Sequence, residues 1–293
     1  MTVSMQLSVI IACYNGASTL ADQLDGLSAQ TWSKPWEVLF VDNRSTDDSR
    51  LIAEAYMERI PSLRVIDASE KQGKAFALNK GIKHSKSERI AFADADDQVA
   101  PGWLPAMGEA LAKYELVACR WDIRTLNSKW VRRYRQNNQL NDVPRIDYPP
   151  YLPHAGGGTI GIHRKLHRKI GGFDESLPHL EDTDYVWRAQ LAGAKLHFEP
   201  KAVMRISFRD EPWSILQQNM NYAEYNVFLS KRYRKYGLPK PNRWRLFLIN
   251  WWALARNLRV PFKDKASFAK WMAQVGWQVG LFKGVLKYRV PPV

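Results

Sequence analysis

Cysteine is nearly absent from this sequence. The two present, Cys13 and Cys119, give no disulfide framework and no metal-knuckle spacing, so a reducing compartment is the expected setting. The N-terminus runs from Met1 through polar residues straight into Leu7-Ser8-Val9-Ile10-Ile11, and no signal peptide is expected. There is no internal repeat and no low-complexity tract. The apolar run Leu246–Ala255 is too short to cross a bilayer, which takes roughly 20 residues. Acid is missing from one region. Residues 231–293 hold 15 Lys/Arg and one acid, Asp264, a net of +14, whereas residues 1–230 balance 28 basic against 28 acidic side chains. A neutral body with a strongly basic tail suggests a polyanionic partner, either nucleic acid or anionic lipid.

What is present is a large apolar fraction, 45% of 293 residues, ample for one large core plus an extension or for two small domains. Buried-strand runs alternate with helical patterns: strands at Leu7–Ala12, Glu37–Val41, Leu63–Ile66 and around Ile90, with helices between them. That alternation predicts an α/β fold with a mostly parallel central sheet flanked by helices. A further helix (about 103–113), a strand at Leu116–Cys119 and a mixed, loop-rich stretch from Arg120 to Pro153 follow. Gly156-Gly157-Gly158 then lets backbone approach something closely. A short strand (Thr159–His163), a short helix (Lys165–Ile170), a helix opening at Glu181 and a strand at Leu196–Phe198 complete the body. From about Trp213 the pattern is helical, with apolar stripes at Trp213, Leu216, Met220, Ala223 and Val227, and again at Phe268, Trp271, Met272, Val275, Val279 and Phe282.

The acids at the strand ends carry the chemistry. Ile90–Ala93 ends in Asp94, Asp96 and Asp97, and in extended chain Asp94 and Asp96 point the same way. A hard divalent ion completed by substrate phosphates fits such a pair. An acidic turn with Asp97 capping the next helix fits as well. In a parallel sheet the loops after the first, second and fourth strands share one edge, bringing together Tyr14-Asn15, Asp42 and the Asp94 cluster. Ionised Asp42 can accept from sugar hydroxyls or a base N–H. Gly73-Lys74 opens a helix, so N–H groups and an ammonium can face phosphate. Together these suggest a nucleoside diphosphate. Taken singly, Asp42 also reads as a turn residue and Lys74 as a surface charge.

Six segments in series resemble a known family. They are Ser8–Asn15, Val41–Asp47, Gly73–Gly81, Asp94-Ala95-Asp96, Gly171–Glu175 and Glu181–Asp184, and over about residues 6–200 their order and spacing are similar to family 2 glycosyltransferases of the GT-A fold. The resemblance implies inverting transfer of a sugar from a nucleoside-diphosphate sugar to an acceptor hydroxyl, with Mg2+ or Mn2+. It implies that Ala12, Tyr14, Asn15, Asp42, Gly73, Lys74 and Asp94 line the donor. Asp42 would contact the nucleoside, Asp94 the ribose or sugar, and Asp96 the metal. Asp182, of the Glu181-Asp182 pair, would be the general base, and helix capping is the alternative for both acids. Three positions depart from the pattern. Ala12 replaces a usual Pro. Asn43 stands where a second acid is common, which bears on the donor's base. Arg205 stands where many members have His; it cannot ligate a metal but can pair the diphosphate.

The resemblance divides the chain at about residue 210. Residues 1–210 form the transferase domain, with a nucleotide-sugar half to about 100 and an acceptor half at 101–210. Residues 211–293 form a helical, Trp-rich basic extension. That tail predicts peripheral contact with the anionic inner face of the cytoplasmic membrane through 231–293, near a lipid-linked or cell-surface glycan acceptor. Packing on the body or in a homo-oligomer is the alternative. Two other functions compete. A nucleotidyltransferase on a related fold would want a Gly-rich phosphate loop after the first strand, which is missing. A nucleic-acid-binding protein is disfavoured by the paired acids at the presumed cleft.

Overall fold

The first strand, β1 (Leu7–Cys13), is buried at every position but Ala12, as its continuous apolar run requires. It pairs in parallel with β2 (Trp36–Asp42) on one side and β4 (Arg89–Phe92) on the other, and β2 pairs in parallel with β3 (Leu63–Asp67). The crossovers are α1 (Leu20–Ser28), α2 (Ser49–Ala55) and α3 (Lys74–His84). Helix α3 lies very close to the sheet at Gly81, where a Cβ would meet Ile10 Cγ2 at 2.6 Å and Val41 Cγ2 at 2.9 Å. The computed structural model describes residues 4–60, 62–238, 240 and 243–293. Residues 1–3, the start of the polar lead-in, lie outside the described residues.

The parallel expectation holds for these four strands, but the whole sheet is mixed. Its order is β3-β2-β1-β4-β7-β6-β8-β5, completed by β5 (Gln98–Val99), β6 (Leu116–Asp122), β7 (Ile160–His163) and β8 (Leu196–Arg205). Strand β7 is antiparallel to both β4 and β6, whereas β8 is parallel to β6. The start of β7 therefore lies at the edge where β4 ends, and the end of β8 returns to that edge. Alternation of strand and helix predicts crossovers, and β7 is not reached by one. A short 3-10 turn at Gly157–Thr159 leads into it directly. Helices α4 (Trp103–Ala110), α6 (Arg164–Lys169) and α7 (Glu181–Leu191) complete this part.

The chain forms two compact units. The first comprises residues 1–125, 137–144 and 153–207, and it holds the whole sheet. Its core joins sheet residues such as Ile10, Leu39, Phe92 and Ile162 to Leu78 and Ile82 of α3 and to Tyr185 and Val186 of α7. Fully burying side chains of this size contributes about 1.5–3 kcal/mol each. At the opposite edge from the acids, buried Arg164 donates to the carbonyls of Ile82, Ser85 and Ser87, tying the end of α3 to the strand that follows.

The second unit comprises residues 126–136, 145–152 and 208–293. It contains α5 (Lys129–Tyr134), α8 (Pro212–Arg232), α9 (Arg243–Arg256) and α10 (Lys265–Tyr288). Asp264 caps α10, accepting the Ser267 N–H at 2.8 Å. The buried seam of α10 coincides with the apolar stripe expected there only at Met272. Gly276, Gly280 and Gly284 meet α8 backbone to backbone: a Cβ at Gly276 would strike the Leu216 carbonyl, and one at Gly280 the Met220 carbonyl. Gln278 is buried, while Phe282 is exposed. Glycines at every fourth position let the helices approach more closely than large side chains allow.

Candidate active site

The loops at the C-terminal ends of β1, β2 and β3 are fastened to one another. Asn15, held at φ +52°, accepts the Thr46 N–H at 2.7 Å and donates its own N–H to Ser45 Oγ. Asp42 is buried at the end of β2, where one carboxylate oxygen accepts the Ser45 N–H at 2.9 Å. Ala12 is the only partly exposed residue of β1, and Tyr14 just beyond it is 53% exposed. Asn43 accepts the Gly73 N–H at 2.7 Å and donates to the carbonyls of Ala68 and Lys71 at 2.7 and 2.8 Å. A carboxylate there could accept but could make neither donation. The neutral amide at this position thus clamps the entry to α3. Gly73 precedes that helix at φ +144°, a conformation L residues with side chains rarely adopt.

Lys74 is the meeting point of the site. Its Nζ lies 2.6 Å from Asp94 Oδ1. Burial disfavours its charge, but the carboxylates of Asp94, Glu181 and Asp182 outweigh burial and hold the ammonium above its usual range. The antiparallel β7 supplies the facing wall. A Cβ on Gly158 would strike Asp94 Cγ at 2.7 Å, and one on Gly157 would come within 3.3 Å of Lys74 Nζ. The Gly157 N–H donates to Asp182 Oδ2 at 2.9 Å, while Asp182 Oδ1 accepts the Thr183 N–H at 2.6 Å. Asp182 therefore both organises the first turn of α7 and faces the cleft. Glu181 is buried, and burial together with Asp182 pushes its carboxyl up to about 7, with Lys74 opposing. Between them, Lys74 and the Gly157-Gly158 turn bring the β4 acids and the α7 acids into one cleft.

Asp94, Asp96 and Asp97 offer carboxylate oxygens that all lie within 4.8 Å of one another. An oxygen-only donor set, without Cys or His, suits a hard cation such as Mg2+ or Mn2+. Asp96 is exposed at the mouth, Asp94 is half-buried and Asp97 is buried. Asp97 does not cap the following helix, since α4 starts only at Trp103 after Gly102. It accepts the Ser207 N–H at 2.9 Å instead, joining the end of β4 to the segment after β8. Burial, Asp94 and Asp96 raise its carboxyl well above the usual range. Arg205 ends β8, and its guanidinium donates to Gln98 Oε1 at 2.7 Å.

A family model described as Glycosyl transferase family 2 matches residues 8–171, more than half of the chain. The chain belongs to glycosyl transferase family 2. An uncharacterized glycosyltransferase of Rickettsia typhi is 29% identical over 71% of this family 2 chain and 66% of its own, so the chain spans just under two-thirds of that relative. Among solved structures, a mannosyltransferase from Pyrobaculum calidifontis in complex with GDP-Man and Mn2+ superposes with a TM-score of 0.68 at 18% identity, covering 98% of this chain and 88% of its own. S. aureus TarS 1-349 in complex with UDP-GlcNAc gives 0.58 at 17% identity, covering 97% and 92%. At such identities the likeness is one of fold, the GT-A fold.

Several residues of this family 2 site were not evident from sequence. Gln23 on α1 donates to the Asp94 carbonyl at 2.8 Å and accepts the Val99 N–H at 2.9 Å, bracing both ends of the acidic turn. Its only signal was a polar residue on the apolar side of a helix. His154 is near enough to feel the Asp182 charge, although burial holds its imidazole below the usual range. Nothing in its local sequence marked it.

Proposed function

We propose that this chain is an inverting, metal-dependent glycosyltransferase that moves a sugar from a nucleoside-diphosphate sugar to an acceptor hydroxyl. The observation that carries the reading is the cleft around Lys74, where Asp94, Glu181 and Asp182 share one cation beside the Asp94-Asp96-Asp97 cluster. In this reading Ala12, Tyr14, Asn15 and Asp42 face the nucleoside, Asp94 the donor's sugars, and Gly73, Lys74 and Arg205 the diphosphate. Asp96 would hold Mg2+ or Mn2+, which as a Lewis acid neutralises charge growing on the leaving diphosphate.

Asp182 acts as general base. Its carboxylate takes the acceptor hydroxyl proton as the oxygen bonds to the anomeric carbon. The bond from that carbon to the diphosphate oxygen breaks on the opposite face, and its electron pair leaves with the diphosphate. A single displacement of this kind inverts the centre. The Gly157 N–H on Asp182 Oδ2 holds the orientation of the carboxylate. The acceptor class is a lipid-linked or cell-surface glycan. A peripheral seat on the inner face of the cytoplasmic membrane, through 231–293, brings the enzyme to it.

A thermal-shift panel of nucleotide sugars with and without Mn2+ tests the reading, because a ligand that binds only the folded state raises its melting temperature. The expected result is a shift with one nucleoside-diphosphate sugar that depends on Mn2+ and is lost in Asp96→Ala. Absence of any shift across the panel would count against it.

A further inference from the structure

Helix α9 turns its apolar side outward. Phe247 and Leu254 are buried in the second unit, where Phe247 packs with Ala223, Val227 and Leu281. The outward side carries Trp244, Leu246, Leu248, Ile249 and Trp252, which are 49%, 50%, 63%, 45% and 59% exposed. Trp244, Leu248 and Trp252 recur every fourth residue and so form one line along the helix. Surface helices ordinarily show water a polar face, and a contiguous apolar patch marks an interaction site. Beyond the helix, Leu258 and Phe262 are also exposed, at 56% and 85%.

The charges around the patch select its partner. Asp264, the sole acid of residues 231–293, is held by Arg133 at 3.0 Å. Of the neighbouring acids, Asp147 pairs with Lys240 and Arg243, and Glu224 with Lys283 and Lys287. Arg245, Arg259 and Lys263 are exposed beside the apolar line and meet no carboxylate among the described residues. Arg256 lies over the Trp252 ring, 4.9 Å from its centroid. Indole rings flanked by arginines match the headgroup level of a bilayer, with aliphatic side chains reaching just beneath it. No helix among the described residues is long and apolar enough to cross a membrane, so contact would be along the surface.

We propose that the Trp244-Leu248-Trp252 face of α9, with Arg245 and Arg256, docks in the interface of an anionic lipid bilayer. The proposal rests on the peripheral seat inferred above and gives it a specific face. A second copy fits less well, because face-to-face packing would set Arg245, Arg256 and Arg259 against their own like charges. Nucleic acid would leave Leu246, Leu248 and Ile249 without a complementary surface.

The test is co-sedimentation of the full chain with phosphatidylcholine vesicles, with and without phosphatidylglycerol, alongside tryptophan emission. The expected result is roughly tenfold or greater preference for the anionic vesicles at low salt, with a blue shift in emission. Trp244→Ser/Leu248→Ser/Trp252→Ser should lose roughly tenfold in binding to them without a lower melting temperature, since these side chains are exposed. Arg245→Glu/Arg256→Glu should abolish the preference for anionic lipid. Equal vesicle binding by wild type and the triple variant would overturn the proposal. So would a dimer in sedimentation equilibrium that the triple variant dissociates, or oligonucleotide binding that exceeds vesicle binding at matched salt. Donor binding is read on the same samples. A chain that binds anionic vesicles but no nucleotide sugar would sink the transfer reading and leave this one standing.

Discussion

Asn43 Oδ1 accepts the backbone N–H of Gly73 at 2.7 Å, and the same side chain donates to the Ala68 and Lys71 carbonyls. One buried amide therefore makes three bonds between the ends of two strand–helix loops. Asn43→Asp retains the acceptor and loses both donors. The expected cost is about 1–3 kcal/mol, the range for buried polar groups left unsatisfied. Urea unfolding measures it, and an unchanged midpoint would show that the clamp contributes nothing.

The two groups of acids should separate in their kinetics. Asp182→Asn can still accept from Gly157 but cannot take a proton. Turnover should fall roughly a hundred- to ten-thousand-fold. Donor affinity should stay nearly constant, because the loss is confined to the transition state. Asp96→Ala should weaken donor binding in the presence of Mn2+. Single-turnover assays with calorimetric donor titrations distinguish the two outcomes, and interchanged effects would reverse the assigned roles.

The Glu181 carboxyl makes stability depend on pH. Its ordinary value is 4.5, and in the folded chain burial and Asp182 push it up to about 7. Between those values the folded chain binds more protons than the unfolded one. Its stabilisation is present in acid and is lost as pH rises through about 7. Glu181→Gln should flatten that decline and melt above wild type at pH 8. Parallel melting curves for the two proteins from pH 5 to 8 would refute it.

Gly280→Ala opposes two effects. Alanine favours a helix by about 1 kcal/mol over glycine. Here its methyl would run into the Met220 carbonyl and lie 2.8 Å from Ala223 Cβ. Neither backbone can yield without parting α8 from α10, and overpacking of this kind costs about 1–3 kcal/mol. Net destabilisation is expected in a thermal melt, and a rise in melting temperature would show that the seam is looser.

The sequence made some of this legible and left other parts hidden, for physical reasons. Buried strands read clearly because their apolar runs stop at acids, as at Asp42 and Asp94. The tight turn at Gly156–Gly158 was visible as backbone freedom, yet what it approaches was not, since that depends on β7 running against β4. Strand β5 has two residues, too few to show a period. Residues 120–153 show no single period because they alternate between the two compact units. In α10 the buried residues include Gly276, Gln278, Gly280 and Gly284 beside Ala266, Ala269, Met272 and Leu281, and an apolar stripe read from the large residues alone directs attention to a different side of the helix.

The hydrogen bonds that join Asn15 to Thr46 and Asn43 to Gly73 link one loop to another, and those that join Gln23 to Asp94 and Gly157 to Asp182 tie a turn to a helix. Together they leave little backbone freedom for an incoming ligand to remove. Ordering entropy then adds little to the cost of binding. A nucleotide entering such a cleft exchanges water for fixed dipoles, and the heat capacity change on binding should reflect only the apolar surface it covers.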